Sequence, residues 1–477
     1  MKNSVLLILF LLPLCLFSQK KSQTKVLIST YLGNEKRNFY GNQAPEKLNL
    51  KWKFYLGKGL SFAYGYDKEW VGAGWTGQPL VIKEKGKIYL IQGAFDYHLR
   101  KIDAETGTEI WKYKFDDILK GTGTIWYNKN EKNKENQFVV LQGSRFGFGN
   151  KQSDKIIASF RGVSMNTGEE LWRMNTKRTV CYSRDVDGSA LVINDTAYLA
   201  LENAIFTVFD PNFNNQKMLD GIMQPNIYNE VDYYHISDTI VHGTNIECES
   251  SPTLLGDRIY TNAGVGKVFG YNIKTQKLDW IFDIGADLNG SSPATFDNCL
   301  LIPVEKDYIE GRGGVLKLNP ARVPEKAVDW YFPVPNKDWF HWKGGIVGSI
   351  AVNDATYQKG FPRIAAFVDA AGFFYVIDQV KLDGDKKELA WDNKTEYSVP
   401  VCYLRKEVGP TISTPIIVGN KIIVALDKGL QLYEFDKNMN FKLLDEIPNL
   451  QIDATPVVWD GKLYIAALDG YLYCFGN

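Results

Sequence analysis

The side chains that could carry chemistry in this 477-residue chain are few. Its four histidines, His98, His235, His242 and His341, include no i, i+4 pair and no HExxH, so the zinc-hydrolase pattern is missing. Cys181, Cys248, Cys299, Cys402 and Cys474 are widely spaced and contain no CxxC, which points to isolated thiols rather than a disulfide framework or a zinc site. Gly72-Ala-Gly74-Trp-Thr-Gly77 spells GxGxxG, the dinucleotide fingerprint. That motif requires a strand before it and a helix after it, whereas here Pro79 opens a β-strand, so a tight loop is expected. Asp383-Gly-Asp385 lacks the spacing and closing glutamate of a calcium loop. The Ser250-Ser-Pro252 and Ser291-Ser-Pro293 repeats contain no GxSxG elbow and mark the starts of strands. No catalytic, cofactor-binding or metal-ligating residue is assigned from these motifs.

What remains is a set of loops rich in aromatic and charged residues. They hold Tyr66, Asp67, Glu69 and Trp70; Tyr182, Arg184 and Asp185; Glu247 and Glu249; Trp339, His341, Trp342 and Lys343; and Tyr403, Arg405 and Glu407. Trp, Tyr and Arg dominate binding hot spots, and loops on a rigid scaffold are where function collects.

The elements that must position these loops repeat. Residues 86–111 alternate through one strand, turn at Gly93, alternate again through 98–102, turn at Asp103-Ala-Glu-Thr-Gly107, and form an outer strand around Trp111. Gly168 precedes Trp172 by the same four residues, and Gln276 precedes Trp280 likewise. Pro79, Pro252, Pro293, Pro415 and Pro456 each open an apolar strand, and the last four are spaced by one or three multiples of about 40 residues, the period of a β-propeller.

The expected fold is all-β, a single eight-bladed β-propeller, with seven blades as the alternative. Blades are placed at about 77–117, 121–177, 188–238, 250–283, 291–332, 345–392, 413–447 and 455–475. The last has three strands, and the strand at 48–55, centred on Trp52, completes it and closes the ring. In such a ring the candidate loops share one face, and Arg184 and Arg405 are expected to meet an anionic group over the channel.

The DAETGTEIW and NTGEELW motifs, the strand-opening prolines and the segment LGN...Y...LKWKF resemble the pyrroloquinoline-quinone-type (PQQ-like) propeller repeat, over essentially all of 31–477. That family includes quinoprotein dehydrogenases and non-catalytic BamB-like propellers of outer-membrane assembly. The resemblance implies that Trp52, Trp111, Trp172 and Trp280 pack between blades as the family's docking tryptophans. It also implies, for the dehydrogenases, a quinone held with calcium under a disulfide between adjacent cysteines. This chain has neither adjacent cysteines nor a recognisable calcium-ligand segment.

Lys2 and the apolar run 5–17 read as a secretory signal, too short to span a bilayer, with cleavage after Ser18. Lipidation at Cys15 is disfavoured because Leu14 precedes it. Residues 19–30 are expected to be a flexible leader. Lysine plus arginine and aspartate plus glutamate balance at 55 each, which argues against nucleic acid as a partner. The expectation is an exported, periplasmic or secreted monomer without a transmembrane segment. It would be a non-catalytic module that binds a protein, glycan or small ligand through its loop face, with no cofactor. The alternative is a divergent quinoprotein oxidoreductase or another enzyme with its site on the propeller axis.

Overall fold

In the computed structural model, which describes residues 24–63 and 65–477, eight small antiparallel sheets form the ring of an eight-bladed propeller. Blade 4 is the plainest copy, with strands Thr253–Leu255, Arg258–Ala263, Lys267–Asn272 and Lys277–Asp283 running from axis to rim. Middle strands are buried because neighbouring blades cover both faces: Leu300–Val304, Gly314–Leu318 and Ile364–Val368 are wholly buried. Outer strands alternate. In Glu109–Lys114 one set of side chains faces the next blade and the other faces solvent. Strands begin directly after Pro79, Pro252, Pro415 and Pro456, and Ala294 after Pro293 forms a single bridge to Leu300.

The repeated glycine and tryptophan serve two different interfaces. The Trp111 indole N–H donates to the Met165 carbonyl of the next blade at 3.0 Å, and its ring covers Gly168, where a Cβ would lie 2.8 Å from it. Trp52 covers Gly107 and bonds Ala104 in the same way, across the ring closure. Trp172, Trp280 and Trp330 donate to Pro211, Arg322 and Gln379 at 2.9–3.0 Å, each one blade onward. Gly107 and Gly168 have positive φ, and Gln276 holds the same left-handed turn (φ 58°) at the equivalent place.

Closure follows the expected route. Asn49–Tyr55 pairs with Tyr471–Gly476 as the outermost strand of blade 8. The segment before it has a second role that its sequence did not disclose. Residues 29–44 fill the axis at the level of the inner strands. The Tyr31 hydroxyl lies 2.9 Å from Thr414 Oγ1 and within hydrogen-bonding distance of Ser349 and Thr455. Arg37, fully buried, donates to the carbonyls of Pro252, Ser189 and Tyr31 and to the Thr30 hydroxyl. Further bonds to Gln78, Ile125, Ala294, Val352 and Val458 bring every blade into contact with this plug.

Two expectations about elements change. The leader is not wholly unstructured, because Lys25–Ile28 is a strand on the inner edge of Leu80–Glu84, where that blade offers unpaired backbone groups. Blade 6 does not end near 392. Its outer pair is a long hairpin, Phe373–Leu389 with Glu396–Glu407, so Tyr403, Arg405 and Glu407 stand in a strand rather than in the loop before blade 7. The expected signal sequence at 1–18 lies outside the described residues. Among those described, no helix is long and apolar enough to cross a membrane.

Candidate functional site

The loops that lead from each outer strand to the next inner strand share one face with the turns between the second and third strands. Together they enclose a cavity of about 1150 Å³ on the axis. Of the residues singled out in the sequence, Asp67, Trp70, Tyr182, Asp185, Glu247, Glu249, Trp339, His341 and Trp342 line it. Tyr66, Glu69, Arg184, Lys343, Tyr403, Arg405 and Glu407 do not. The GxGxxG segment is the expected loop, and Trp75 within it also reaches the cavity.

The expected arginine pair does not form. Arg184 is buried beneath the loop, where its guanidinium donates to the carbonyls of Thr176, Gln152 and Asp154 and to Asn175 Oδ1. Burial lowers its pKa to about 10. Arg405 lies on the blade 6 hairpin, stacked on Phe373 and bonded to the Tyr375 hydroxyl. A loop arginine flanked by aromatics reads as a hot spot in sequence, but four backbone and amide acceptors convert Arg184 into a structural tie.

The cavity has aromatic walls. A hairpin, Lys58–Ala63 with Tyr66–Val71, arches over it from the closure strand and brings Trp70 against Phe95, ring centroids 5.4 Å apart. Arg145 anchors that hairpin through Ser61 Oγ at 2.9 Å and the Phe62 carbonyl at 2.7 Å, while its Nε holds Asp185 at 2.6 Å. On the opposite side Trp339 and Trp342 exchange backbone hydrogen bonds and stack 5.3 Å apart. The buried indole N–H groups of Trp70 and Trp75 have no acceptor.

The base of the cavity is acidic, and the residues that make it so were largely missed in the sequence. Asp187, Glu202 and Glu249 bring carboxylate oxygens within 4.8 Å of one another. The Lys120 ammonium pairs with Asp187 among them. Burial opposes its charge, but Asp187, Glu202 and Glu249 outweigh that and hold its pKa above the usual lysine range. Glu202 is satisfied by the Ser183 hydroxyl and the Asp187 N–H. Next to this cluster stand Glu247, Asp287 and Glu305. Asn245 donates to Asp287 at 3.0 Å, but one oxygen each of Glu247 and Asp287 and both of Glu305 are buried without a hydrogen-bond partner. No lysine or arginine among the described residues forms an ion pair with any of the three. Burial and then mutual repulsion raise Glu247 and Glu305, burial pushes Asp287 up to about 7, and burial pushes Glu249 up to about 8. Only Glu247 and Glu249 carried a sequence signal, as charges in a loop; the others fall inside ordinary strand and turn repeats.

No protein-family model and no curated protein matches the sequence. Among solved structures, the chain is similar to BamB from Moraxella catarrhalis, with a TM-score of 0.53 and 10% identity over 90% of this chain and 98% of that one. What the likeness shows is the fold, an eight-bladed β-propeller. A europium-containing methanol dehydrogenase matches equally well, with a TM-score of 0.53 and 13% identity over 94% of this chain and 98% of the other. One of these two is named as an enzyme and the other is not, so the shared scaffold leaves function to the site.

The quinone that the sequence resemblance implies is an anionic group, and the cavity does not suit it. Nine carboxylates and four lysine or arginine side chains line the wall, and Lys120 and Arg145 among the cations are already paired with Asp187 and Asp185. The described cysteines are all free thiols, and none neighbours another in sequence. Asp187, Glu202 and Glu249 are ligands of the type a hard cation takes, though the Lys120 ammonium already supplies positive charge there.

Proposed function

We propose that this chain is an exported, non-catalytic binding module whose axial cavity takes a ligand from the loop face. The observation that carries the reading is the cavity itself, a rigid concave site with aromatic walls and convergent, partly unsatisfied polar groups. Eight sheets, locked at the closure strand and filled at the axis, hold its loops, so little is lost in ordering the site when it is occupied. Export rests on the N-terminal sequence, with a mature start at Gln19 and a soluble monomer as the product. Intact-mass measurement on secreted or periplasmic material checks this, and an acylated Cys15 would refute it.

The cavity reading is tested by intrinsic tryptophan fluorescence, titrating a panel of small amines, hexoses and dicarboxylates into the wild type and Trp342→Ala. A saturable change that Trp342→Ala abolishes supports it. Silence across the panel overturns it. The enzyme alternative draws support from Glu249 and Asp287, which titrate near neutrality as acid-base groups do. Adding quinone with calcium should leave the melting temperature unchanged, and a clear upward shift would favour the quinoprotein reading instead.

A further inference from the structure

Resting on the axial cavity as the binding site, we propose that its ligand is an aliphatic polyamine, with ammonium groups seated on the carboxylates around Glu247 and Asp287 and methylene chains against the tryptophan walls. The chain as a whole is neutral, so the excess of carboxylates in this one cavity is local and sets the sign of the ligand. Glu247 is 3% exposed and Asp287 is 7% exposed. Both line the cavity, and each has an oxygen without a donor. Buried carboxylates without cation or donor are costly, and an incoming ammonium offers both charge and three N–H groups.

A single metal ion fits less well here. Among the described residues the only set of three acidic groups close enough to share one ion is Asp187, Glu202 and Glu249, where Lys120 is already paired. Glu247, Asp287 and Glu305, the buried acids with unbonded oxygens and no ion-pair partner among the described residues, lie outside that set. Further carboxylates, Asp427 and Asp453 from the last blades and Asp67 from the overarching hairpin, line the same cavity from other directions. Acidic groups spread around an aromatic wall suit several charges joined by apolar linkers, and the indoles of Trp70 and Trp342 add cation–π attraction.

The test is calorimetric titration of the mature chain with spermidine, with hexanediol as the uncharged analogue and calcium chloride as the inorganic cation. Spermidine is expected to bind saturably, hexanediol not at all, and Glu247→Gln with Asp287→Asn to weaken binding about tenfold or more. These replacements remove uncompensated charge, so melting curves should show both variants folded. Trp342→Ala should weaken spermidine as well. The acids facing Glu247 and Asp287 are Glu249, Glu305 and Asp307, with the Tyr182 and Tyr308 hydroxyls beside them. Deprotonation of the acids creates the site, so affinity should rise between about pH 6 and about pH 8. Absence of spermidine binding, binding unchanged in the double variant, or calcium competing through Asp187→Asn-sensitive heat would each overturn the proposal. If spermidine fails while a hexose or dicarboxylate quenches fluorescence in a Trp342-dependent way, the cavity stands and only the polyamine falls.

Discussion

Asp287→Asn should make the empty protein more stable, and more so as pH rises. In the fold the carboxyl titrates at about 7 because burial disfavours its charge, with Asp307, Glu247 and Glu305 facing it; in the unfolded chain it titrates near the ordinary 3.8. Below the unfolded value both states are protonated and the group costs nothing. Above it the unfolded chain gives up a proton that the fold retains, and each pH unit costs about 1.4 kcal/mol until the folded value is passed. A gap of about three units corresponds to a penalty of about 4 kcal/mol near pH 8, an upper bound once local relaxation is allowed for. An asparagine keeps the acceptor for Asn245 Nδ2 at 3.0 Å. Urea unfolding of wild type and variant should therefore show a small gain near pH 4 that grows to about 2–4 kcal/mol near pH 8. A variant less stable than wild type near pH 8, or a gain equal at both values, would refute the assignment of Asp287 as an uncompensated buried acid.

Gly168→Ala combines a positive φ of 77° with a Cβ 2.8 Å from the Trp111 ring, so it should cost about 1–3 kcal/mol in denaturant unfolding. Trp172→Ala removes an indole that is 2% exposed together with its bond to Pro211, and a loss of about 3–5 kcal/mol is expected by the same assay. Arg184→Ala should lower the melting temperature by several degrees while leaving spermidine affinity unchanged, since it orphans the Thr176, Gln152 and Asp154 carbonyls below the cavity. Deleting the closure strand 49–55 bares the edge at Tyr471–Gly476. Light scattering should then report aggregation, and a monomer with wild-type melting would place closure elsewhere.

The fold was legible because each blade repeats a solution to the same local problem. A strand-opening proline, a left-handed turn and an indole four residues later recur wherever one sheet must face the next, and sequence comparison detects such recurrence. Blade 6 misled because its span was read from the blade period as ending near 392, while its outer strand runs from Glu396 to Glu407 in a long hairpin. The cavity was legible only in its aromatics. Asp187, Glu202, Asp287 and Glu305 sit at turns where acids are commonplace, and nothing local says that four separate turns point at one axis. Arg184 failed for the converse reason. Its neighbours in sequence suggested exposure, and only the fold reveals the carbonyls that enclose it.

The axial plug also constrains the order in which the protein can assemble. Tyr31 hydrogen-bonds Thr455, 424 residues further along the chain, and Arg37 needs the carbonyls of two blades before its guanidinium has anywhere to go. The partners of this segment come together only when the blades have curled around it, so it is expected to order last. Pulsed hydrogen exchange during refolding should find the amides of residues 30–40 protected later than those within blades 3 and 4. The axial segment would then act as the latch that turns eight sheets into one body.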